Sequence, residues 1–562
     1  MSATTGAYPV GEAAGTVDHA SAADGSSALR RRTSAAGGDL PVQAAHAVAA
    51  AANAPAPHSP PRDLTTTQKR ALTYEPGVIR VRLTMFRDIL AVLRVRYMDQ
   101  VFAISLSLIV LNTAVTVWRA KYGGAEQLTS LTDWTSMPVG DVCARFMDEF
   151  GWGAPLCFFI MCAAYVLRRR GSVFLVDFAL FEPPEEWRVT KQEIVDIIEN
   201  TGKVERSFTE SDRAFQQKVL SNSGTGDRTA WPPGIVRCRT PGLAQDQSME
   251  ATRAEAEKVI CDCLKDLFAR TGVSPKEVDF LVINCSLFSP TPSLCAMACN
   301  RFRMRSNCRT FNLSGQGCSA SLVSVDLAAD LLRSNPNSNA VVVSTELITQ
   351  SLYHGHEKSM LLQNTLFRCG GAAVLLTNKP RLLLRAKYRL RHLVRTQTAD
   401  DESYNAVYQC EDPDGNSGVR LSKEIVKVAG NAMKINLTQL GPLILPLYEQ
   451  AKVLLSILRR HLGRTDGARY VPSFKSAIHH FCIHAGGRAV LDGIEKNLRL
   501  TPEDMAHSRF CLREHGNTSS SSIWYELRHI EQHSELRRGH KILQLAFGSG
   551  FKCNSAVWTR IR

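Results

Sequence analysis

Apolar runs and amphipathic stretches alternate along the chain from about residue 171 onward. Short runs of Val, Ile, Leu and Phe predict strands, which lie at 174–181, 279–288, 340–348, 371–378, 477–485 and 541–550. Apolar residues at helical spacing predict helices, which lie at 252–271, 319–333, 443–462, 488–497 and 519–532. This alternation predicts a layered α/β fold. A length of about 390 residues suits two similar halves, which we place at 171–380 and 381–562.

Two longer apolar segments precede this region. Residues 101–118 and 151–167 hold 18 and 17 residues without a charge, close to the roughly 20 that span a bilayer. We therefore predict a basic region and two-helix transmembrane anchor at 66–170, with buried core helices as the alternative. Arginines flank the pair on both outer sides, which places both ends in the cytosol. Residues 1–65, rich in Ala, Gly, Ser and Pro, predict a disordered segment.

The net charge, the motifs and the cysteine content of the chain limit the kinds of partner and the cellular compartment that we expect. The formal charge of +14 suits anionic partners such as CoA esters or anionic lipid. Zinc-finger spacing and aromatic-basic motifs are absent from the sequence, so we expect no nucleic-acid partner. The sixteen cysteines form no C-x-x-C pair and no repeated framework, which favours a reducing compartment over a disulfide scaffold.

One cysteine lies where a nucleophile is expected. In the stretch NLSGQGCSA, Cys318 follows Gly315 and Gly317 and precedes a predicted helix. The N–H groups and dipole of a helix N-terminus favour negative charge, so we expect a lowered pKa for this thiol and a larger thiolate fraction. The alternative is a buried, inert cysteine that acts as a small hydrophobic residue.

Two further glycine-marked junctions carry a histidine and an asparagine. His484 ends a predicted strand before two glycines, and Asn517 follows Gly516 just before a helix. Ligand chemistry in α/β sheets gathers at such strand ends. His480 and His484 are four residues apart, but the pattern is strand-like and the H-E-x-x-H glutamate is absent, so we expect no metal site.

A Cys-His-Asn set suits two kinds of chemistry. One is a papain-like protease, although the local cysteine signature of that family is missing. The other is decarboxylative condensation, in which a thiolate carries an acyl group while neutral His and Asn side chains donate hydrogen bonds to a malonyl thioester. Loss of CO2 places enolate charge on that thioester oxygen, and fixed donors stabilise it.

Longer motifs indicate a family. The chain resembles plant-type 3-ketoacyl-CoA synthases over about residues 170–562, in motifs that include VDFALFEPPEE, NCSLFSPTPSL, NLSGQGCSA, HFCIHAGGRAVLDGIEKNL, HGNTSSSSIWYEL and AFGSGFKCNSAVW. These are the condensing enzymes of very-long-chain fatty acid elongation. They belong to the thiolase-like superfamily and are related to chalcone synthase-type polyketide synthases.

The resemblance implies a five-layered αβαβα thiolase-like fold of two similar halves, preceded by a two-helix membrane anchor, and assembly as a homodimer. It implies an endoplasmic reticulum membrane location with the catalytic region in the cytosol. It assigns the role of nucleophile to Cys318 and the roles of the decarboxylation pair to His484 and Asn517. It gives His480 a supporting role. It assigns substrate binding to a glycine loop, Gly548, Ser549 and Gly550.

The implied reaction joins a long-chain acyl-CoA to malonyl-CoA and releases CO2 and CoA. No nucleotide-binding glycine fingerprint is present, so we expect no nicotinamide cofactor; a separate ketoacyl-CoA reductase and other elongase subunits become expected partners. The alternatives are a type III polyketide synthase-like enzyme with repeated extension and a catalytically silent elongase partner. Gln316, Gln397, Arg513 and His515 depart from the family pattern, which leaves chain-length preference open.

Overall fold

The fold is known from a computed structural model, which describes residues 171–199, 208–461 and 470–562. Thirteen strands lie within these residues: β1 Phe174–Leu180, β2 Arg188–Val189, β3 Thr229–Ala230, β4 Phe280–Asn284, β5 Arg309–Leu313, β6 Asn339–Glu346, β7 Gly370–Thr377, β8 Tyr388–Gln397, β9 Val407–Glu411, β10 Ser417–Leu421, β11 His480–Ile483, β12 Lys541–Gly548 and β13 Lys552–Arg560.

The longer helices of the described residues alternate with these strands. They are α1 Lys191–Glu199, α2 Glu210–Asn222, α3 Met249–Thr271, α4 Leu294–Arg301, α5 Ala320–Ser334, α6 Lys358–Leu366, α7 Ile425–Ile444, α8 Leu447–His461, α9 Arg488–Leu498, α10 Pro502–His515 and α11 Ser522–His533. Single turns of α-helix occur at Pro233–Val236, Pro380–Leu383 and Asp401–Tyr404.

Nine strands form one sheet in the order β11-β12-β13-β8-β1-β7-β6-β4-β5. The only parallel pairs among them join β4 to β5, β4 to β6, and β11 to β12. Strands β1 and β8 pair over just two positions, at Phe174 and Leu175. This short pairing divides the sheet into two sections. One has five strands, β1-β7-β6-β4-β5, and the other has four, β11-β12-β13-β8.

A central helical layer lies between the two sections. Helices α5 and α11 share one buried apolar cluster with both: Leu322 and Trp524 pack with Val342 of β6 and Ile542 of β12. A helix buried against two sheets must be apolar on more than one side, and nine of the fifteen residues of α5 are buried.

The outer faces of the sheet are covered by other helices. Successive strand residues point to opposite faces, so Val341 packs with Val259 of α3 while its neighbour on β6 faces the central layer. In the same way Leu543 of β12 packs with Met433 of α7. The order of layers is therefore helix, sheet, helix, sheet, helix, which agrees with the five layers that the resemblance implies.

The predicted membrane anchor at 66–170, its spans 101–118 and 151–167, and the predicted disordered segment 1–65 lie outside the described residues. Within the part of the chain that the structure does describe, none of the helices combines the length and the apolarity needed to cross a bilayer.

The central layer gives a test of the fold. Trp524 is 0 % exposed, its Nε1–H donates to Ser321 Oγ at 2.7 Å, and its ring lies 5.8 Å from Phe178 and 6.3 Å from Trp558. We expect Trp524→Ala to lower the free energy of unfolding by about 3–5 kcal/mol, measured by denaturant titration followed by circular dichroism. Leu384→Ala, at a residue 85 % exposed, is the control and should change it by less than about 0.5 kcal/mol. Equal effects of the two would contradict this packing.

Candidate active site

The three glycine-marked turns that carry Cys318, His484 and Asn517 meet at one cavity of about 600 Å³. Cys318, His484 and Asn517 all line it, and so do Gly548 and Ser549 of the glycine loop. The rest of the wall is mostly apolar, with side chains from β9, β10, α7 and α9. A cavity that combines these reactive side chains with a largely apolar wall is expected for a substrate with a hydrophobic chain.

Cys318 lies in the 3₁₀ turn Gly317–Ser319, directly before α5. Gly317 has φ +60°, and a Cβ there would lie 2.7 Å from the backbone nitrogen of Ser549. A Cβ on Gly548 would lie 2.4 Å from the carbonyl oxygen of Gln316. The turn that carries the nucleophile thus packs directly on the loop after β12, and both contacts require glycine.

The expected lowering of the Cys318 pKa is wrong. Burial raises the pKa of this thiol to about 12, the hydrogen bond with Ser519 opposes that rise, and the nearby Glu346 carboxylate adds to it. A helix N-terminus offers only about half a unit of positive charge, and this does not offset the loss of water around a thiolate. Burial therefore favours the protonated thiol, whose proton has to leave when the sulfur forms a bond.

His484 follows the last residue of β11 and is buried. Its Nδ1 lies 2.7 Å from Ser522 Oγ at the start of α11. Burial lowers the pKa of this imidazole to about 4, so the ring is neutral at pH 7. A neutral ring held at Nδ1 can present Nε2–H as a fixed hydrogen-bond donor.

The amide of Asn517 is held at both ends. Its Oδ1 accepts a hydrogen bond from the backbone N–H of Ser519 at 2.9 Å, and its Nδ2 donates to the carbonyl of Gly486 at 3.3 Å. The backbone is held too, since Asn517 donates to Leu366 and accepts from Arg368. An Nδ2 group has two hydrogens, and the second remains to meet a ligand in the cavity.

The other predicted site residues lie elsewhere. His480 is the first residue of β11, and four residues of strand, about 13 Å, separate it from His484. Its ring lies 5.6 Å from that of His540, and burial lowers its pKa to about 4. His480 and Gly550 are not among the residues that line the cavity. Gly550, with φ +97°, belongs to the turn between β12 and β13.

Sequence reasoning missed Glu346, Ser519 and Ser522. Glu346 ends β6, is buried, and lines the cavity with Ser519. The available signal was a single acidic residue at the end of an otherwise uncharged strand, NAVVVSTE. The run of four serines after Asn517 was visible as well, but nothing in its sequence distinguishes one serine from the next.

Comparisons with known proteins agree with this geometry. Residues 164–462 match the family described as FAE1/type III polyketide synthase-like protein, and residues 474–560 match the C-terminal part of 3-oxoacyl-[acyl-carrier-protein] synthase III. 3-Ketoacyl-CoA synthase 5 of Arabidopsis thaliana is 44 % identical over 81 % of this chain and 89 % of its own length. 3-Ketoacyl-CoA synthase 6 is 48 % identical over 77 % and 84 %. The chain belongs to the 3-ketoacyl-CoA synthase family.

Solved structures of more distant proteins share the fold of this 3-ketoacyl-CoA synthase family member. Tetrahydroxynaphthalene synthase of Streptomyces coelicolor, a type III polyketide synthase, matches with a TM-score of 0.52 at 18 % identity, over 69 % of this chain and 99 % of its own. The polyketide synthase domain of Steely1 from Dictyostelium also matches with 0.52 at 18 % identity, over 70 % and 100 %. The thiolase-like fold inferred from the motifs is confirmed.

The contact between the two glycine-bearing turns can be tested. In Gly548→Ala the new Cβ meets Gln316 O and Ser319 Oγ, each at 2.4 Å, so the turn carrying Cys318 has to move. Because a displacement of about 1 Å can cost about 10²-fold in rate, we expect acyl transfer to Cys318 to fall by about that factor, measured with radiolabelled acyl-CoA. Gly430→Ala in α7 adds a Cβ at an ordinary 3.5 Å contact and should acylate normally. Normal acylation of Gly548→Ala would contradict the packing.

Proposed function

We propose that this chain performs the condensing step of very-long-chain fatty acid elongation. A long-chain acyl-CoA and malonyl-CoA give a 3-ketoacyl-CoA two carbons longer, with release of CO2 and CoA. The observation that carries the proposal is the presence of Cys318, His484 and Asn517 on one largely apolar cavity in a chain of the 3-ketoacyl-CoA synthase family.

In the first half-reaction the Cys318 sulfur attacks the thioester carbonyl of the acyl-CoA, CoA leaves, and the acyl group stays on Cys318. The apolar wall favours an acyl chain, because burying each CH₂ contributes about 0.8 kcal/mol. Val419, Leu421 and Val490 belong to that wall.

In the second half-reaction malonyl-CoA binds with its thioester oxygen against His484 Nε2–H and Asn517 Nδ2–H. Decarboxylation places negative charge on that oxygen, and two oriented donors stabilise it in a site with little water. The enolate carbon then attacks the acyl group on Cys318. Both donors are neutral side chains, so the proposed chemistry uses no metal ion and no redox cofactor.

Two substitutions separate the half-reactions. Cys318→Ala removes the acyl carrier, so we expect no acyl label on the protein and no condensation, while some malonyl-CoA decarboxylation persists. Asn517→Ala should still accept the label, yet its CO2 release and its condensation should both fall by about 10²–10³-fold, the usual cost of one such donor. The measurements are covalent retention of radiolabelled acyl chain and release of labelled CO2.

The matched control is Ser521→Ala. Its hydroxyl bonds to the carbonyl of Thr518 at 2.9 Å, so both half-reactions should proceed as in the unmodified chain. Each variant is first checked for folding by thermal denaturation. Normal CO2 release by Asn517→Ala, or a pyrone in place of a single ketoacyl product, would contradict the proposed roles or the proposed reaction.

We also propose a homodimer attached to the endoplasmic reticulum membrane, with the catalytic region in the cytosol. The apolar segments 101–118 and 151–167 and the arginines outside them support this topology, because positive charge marks cytosolic flanks. Because the ketone of the product is reduced in a later step, we expect a separate reductase in the same membrane as a partner.

Glycosylation tests the topology. Four acceptor sequences, at Asn284, Asn312, Asn436 and Asn517, are all wholly or partly buried and should carry no glycan. Because burial alone can explain such a result, the sharper variant is Glu535→Asn with Arg537→Thr, which creates an acceptor from two exposed side chains. In a cytosolic catalytic region this acceptor also stays unmodified. A glycosidase-sensitive mobility shift of the double variant would place the region in the lumen.

A further inference from the structure

Helix α8 exposes apolar side chains where a helix on the outside of a soluble fold normally exposes polar ones. Five large apolar side chains of this one helix are between 46 % and 54 % exposed: Leu447, Tyr448, Leu454, Leu455 and Leu458. Six other large apolar side chains are exposed within the described residues, and one of them, Tyr470, bonds to Glu449 of the same helix. The exposed apolar residues are thus concentrated at α8.

The spacing of these residues places them on one side of the helix. Side chains three or four residues apart lie above one another, so the apolar residues form one continuous column, made of Leu447, Ala451, Leu454 and Leu458. The neighbouring column alternates apolar and basic side chains and consists of Tyr448, Lys452, Leu455 and Arg459. All eight side chains are exposed. We call these two columns the α8 face.

The side of α8 that packs against the protein is held by polar contacts. Glu449 is buried there, and its Oε2 accepts hydrogen bonds from the Tyr470 hydroxyl at 2.7 Å and from the backbone N–H of Ser473 at 3.1 Å. Gln450 Nε2 donates to the carbonyl of Leu445 at 2.8 Å. These contacts fix the rotation of the helix about its axis, so the α8 face is turned outward.

The charges on the α8 face are positive. Lys452 Nζ lies 3.1 Å from the carboxylate of Glu449 and 5.1 Å from the centre of the Tyr448 ring, and Arg459 is exposed at the end of the same column. Glu449 is the only acidic residue of α8, and it lies on the inner side. Leucines bordered by a tyrosine and by basic side chains are typical of a helix that lies in the surface of an anionic membrane.

The preceding sequence limits how far the catalytic region can be from a membrane. The apolar segment 151–167 ends four residues before Gly171, where the described structure begins. Four residues of extended chain reach at most about 14 Å. With this segment as a membrane span, part of the surface of the catalytic region has to lie against the lipid headgroups, and the α8 face has the composition that suits this position.

We propose that the α8 face lies on the cytosolic surface of a bilayer that contains anionic lipid. Its leucines reach the acyl chains, and Lys452 and Arg459 meet the lipid phosphates. This inference rests on the membrane attachment proposed above and adds a second contact to it. Because the anchor holds the helix close to the lipid, a weak contact is enough to stay formed.

A second copy of the chain suits this face less well. In a symmetric pair both copies use the same surface patch, and Lys452 lies near the middle of the α8 face. Pairing two such faces would therefore bring like charges together, whereas anionic headgroups offer them partners. Helix α7 leads directly into α8, and its residues Ile425, Val426 and Ala429 line the cavity. The anchor and α8 together then set the orientation of the cavity relative to the bilayer.

The test places a photo-reactive benzophenone side chain at Leu454 of the full chain, reconstituted into vesicles of phosphatidylcholine with phosphatidylserine as the minor component. The control carries it at Leu384, which is also exposed but lies in the loop before β8. We expect at least about tenfold more lipid adduct at Leu454, because an interfacial helix buries its apolar side about 5–10 Å into the bilayer. Mass spectrometry of the irradiated protein measures the adduct.

Equal yields at the two positions, or an adduct to a second protein chain at Leu454, would overturn the inference. Replacing phosphatidylserine by phosphatidylcholine should lower the yield at Leu454, and an unchanged yield would overturn an anionic surface as the occupant. A full chain that does not sediment with the vesicles would overturn the membrane attachment and this inference with it. Absence of condensation by a chain that forms the adduct would overturn the proposed reaction alone.

A pair of variants tests the apolar column directly. With the benzophenone at Tyr448, Leu454→Glu combined with Leu458→Glu should lower the lipid adduct by about tenfold, since two carboxylates replace apolar contacts and repel anionic headgroups. Leu384→Glu with the same probe should leave the yield unchanged. All the replaced side chains are exposed, so circular dichroism should show the same fold in each variant. An undiminished adduct in the double variant would contradict the proposed contact.

Discussion

The side chains around Cys318 are buried, and the free-energy cost of a charge away from water determines whether each of them is protonated. Burial raises the pKa of Cys318 and Glu346 and lowers that of His484, so all three are pushed toward their neutral forms. A buried polar atom must then be paired within the protein, because an unpaired one costs about 1–3 kcal/mol. The serine run supplies many of these partners, and this requirement ties the start of α11 to β6, β11 and the Cys318 turn.

The same requirement extends into the central layer. Asn284, at the end of β4, donates to Ser324 on α5 and to Ser344 on β6, and it accepts from Ser520. This amide connects the five-stranded section of the sheet with both helical elements of the central layer. Buried networks of this kind specify one arrangement when every member is satisfied. The position of Cys318 at the start of α5 is thereby linked to the position of Asn517 before α11.

Sequence patterns predicted the apolar elements better than the polar ones. Strands β4, β6 and β7 are runs of buried Val, Leu and Ala, and they lie where the hydrophobic pattern placed them. Strand β13, KCNSAVWTR, was missed because its buried positions include Asn554 and Ser555, which have no apolar signature. Helix α7 was missed because Gly430, Asn436 and Pro442 interrupt its pattern; Asn436 is buried and bonds to the carbonyls of β8 and β13.

In the candidate site, too, some features could be predicted from the sequence and others could not. Glycine-marked junctions were enough to select Cys318, His484 and Asn517, because turns that need glycine are visible in a sequence. The direction in which the pKa of Cys318 shifts was not visible in the sequence. It depends on burial and on Glu346, which is 28 residues further along the chain. Helix dipoles are local and can be inferred from neighbouring residues, whereas desolvation depends on everything that folds around a group.

Neutral side chains also suit the decarboxylation that the cavity is proposed to catalyse. Decarboxylation needs donors that are fixed in place and keep their protons. His484 and Asn517 meet the first condition because each is held by its own partner, Ser522 Oγ for the imidazole and the backbone N–H of Ser519 for the amide. Burial disfavours the charged form of the His484 imidazole, and an amide does not titrate. Because the partners of both side chains come from the segment that leads into α11, the position of this segment sets the direction in which both donors point.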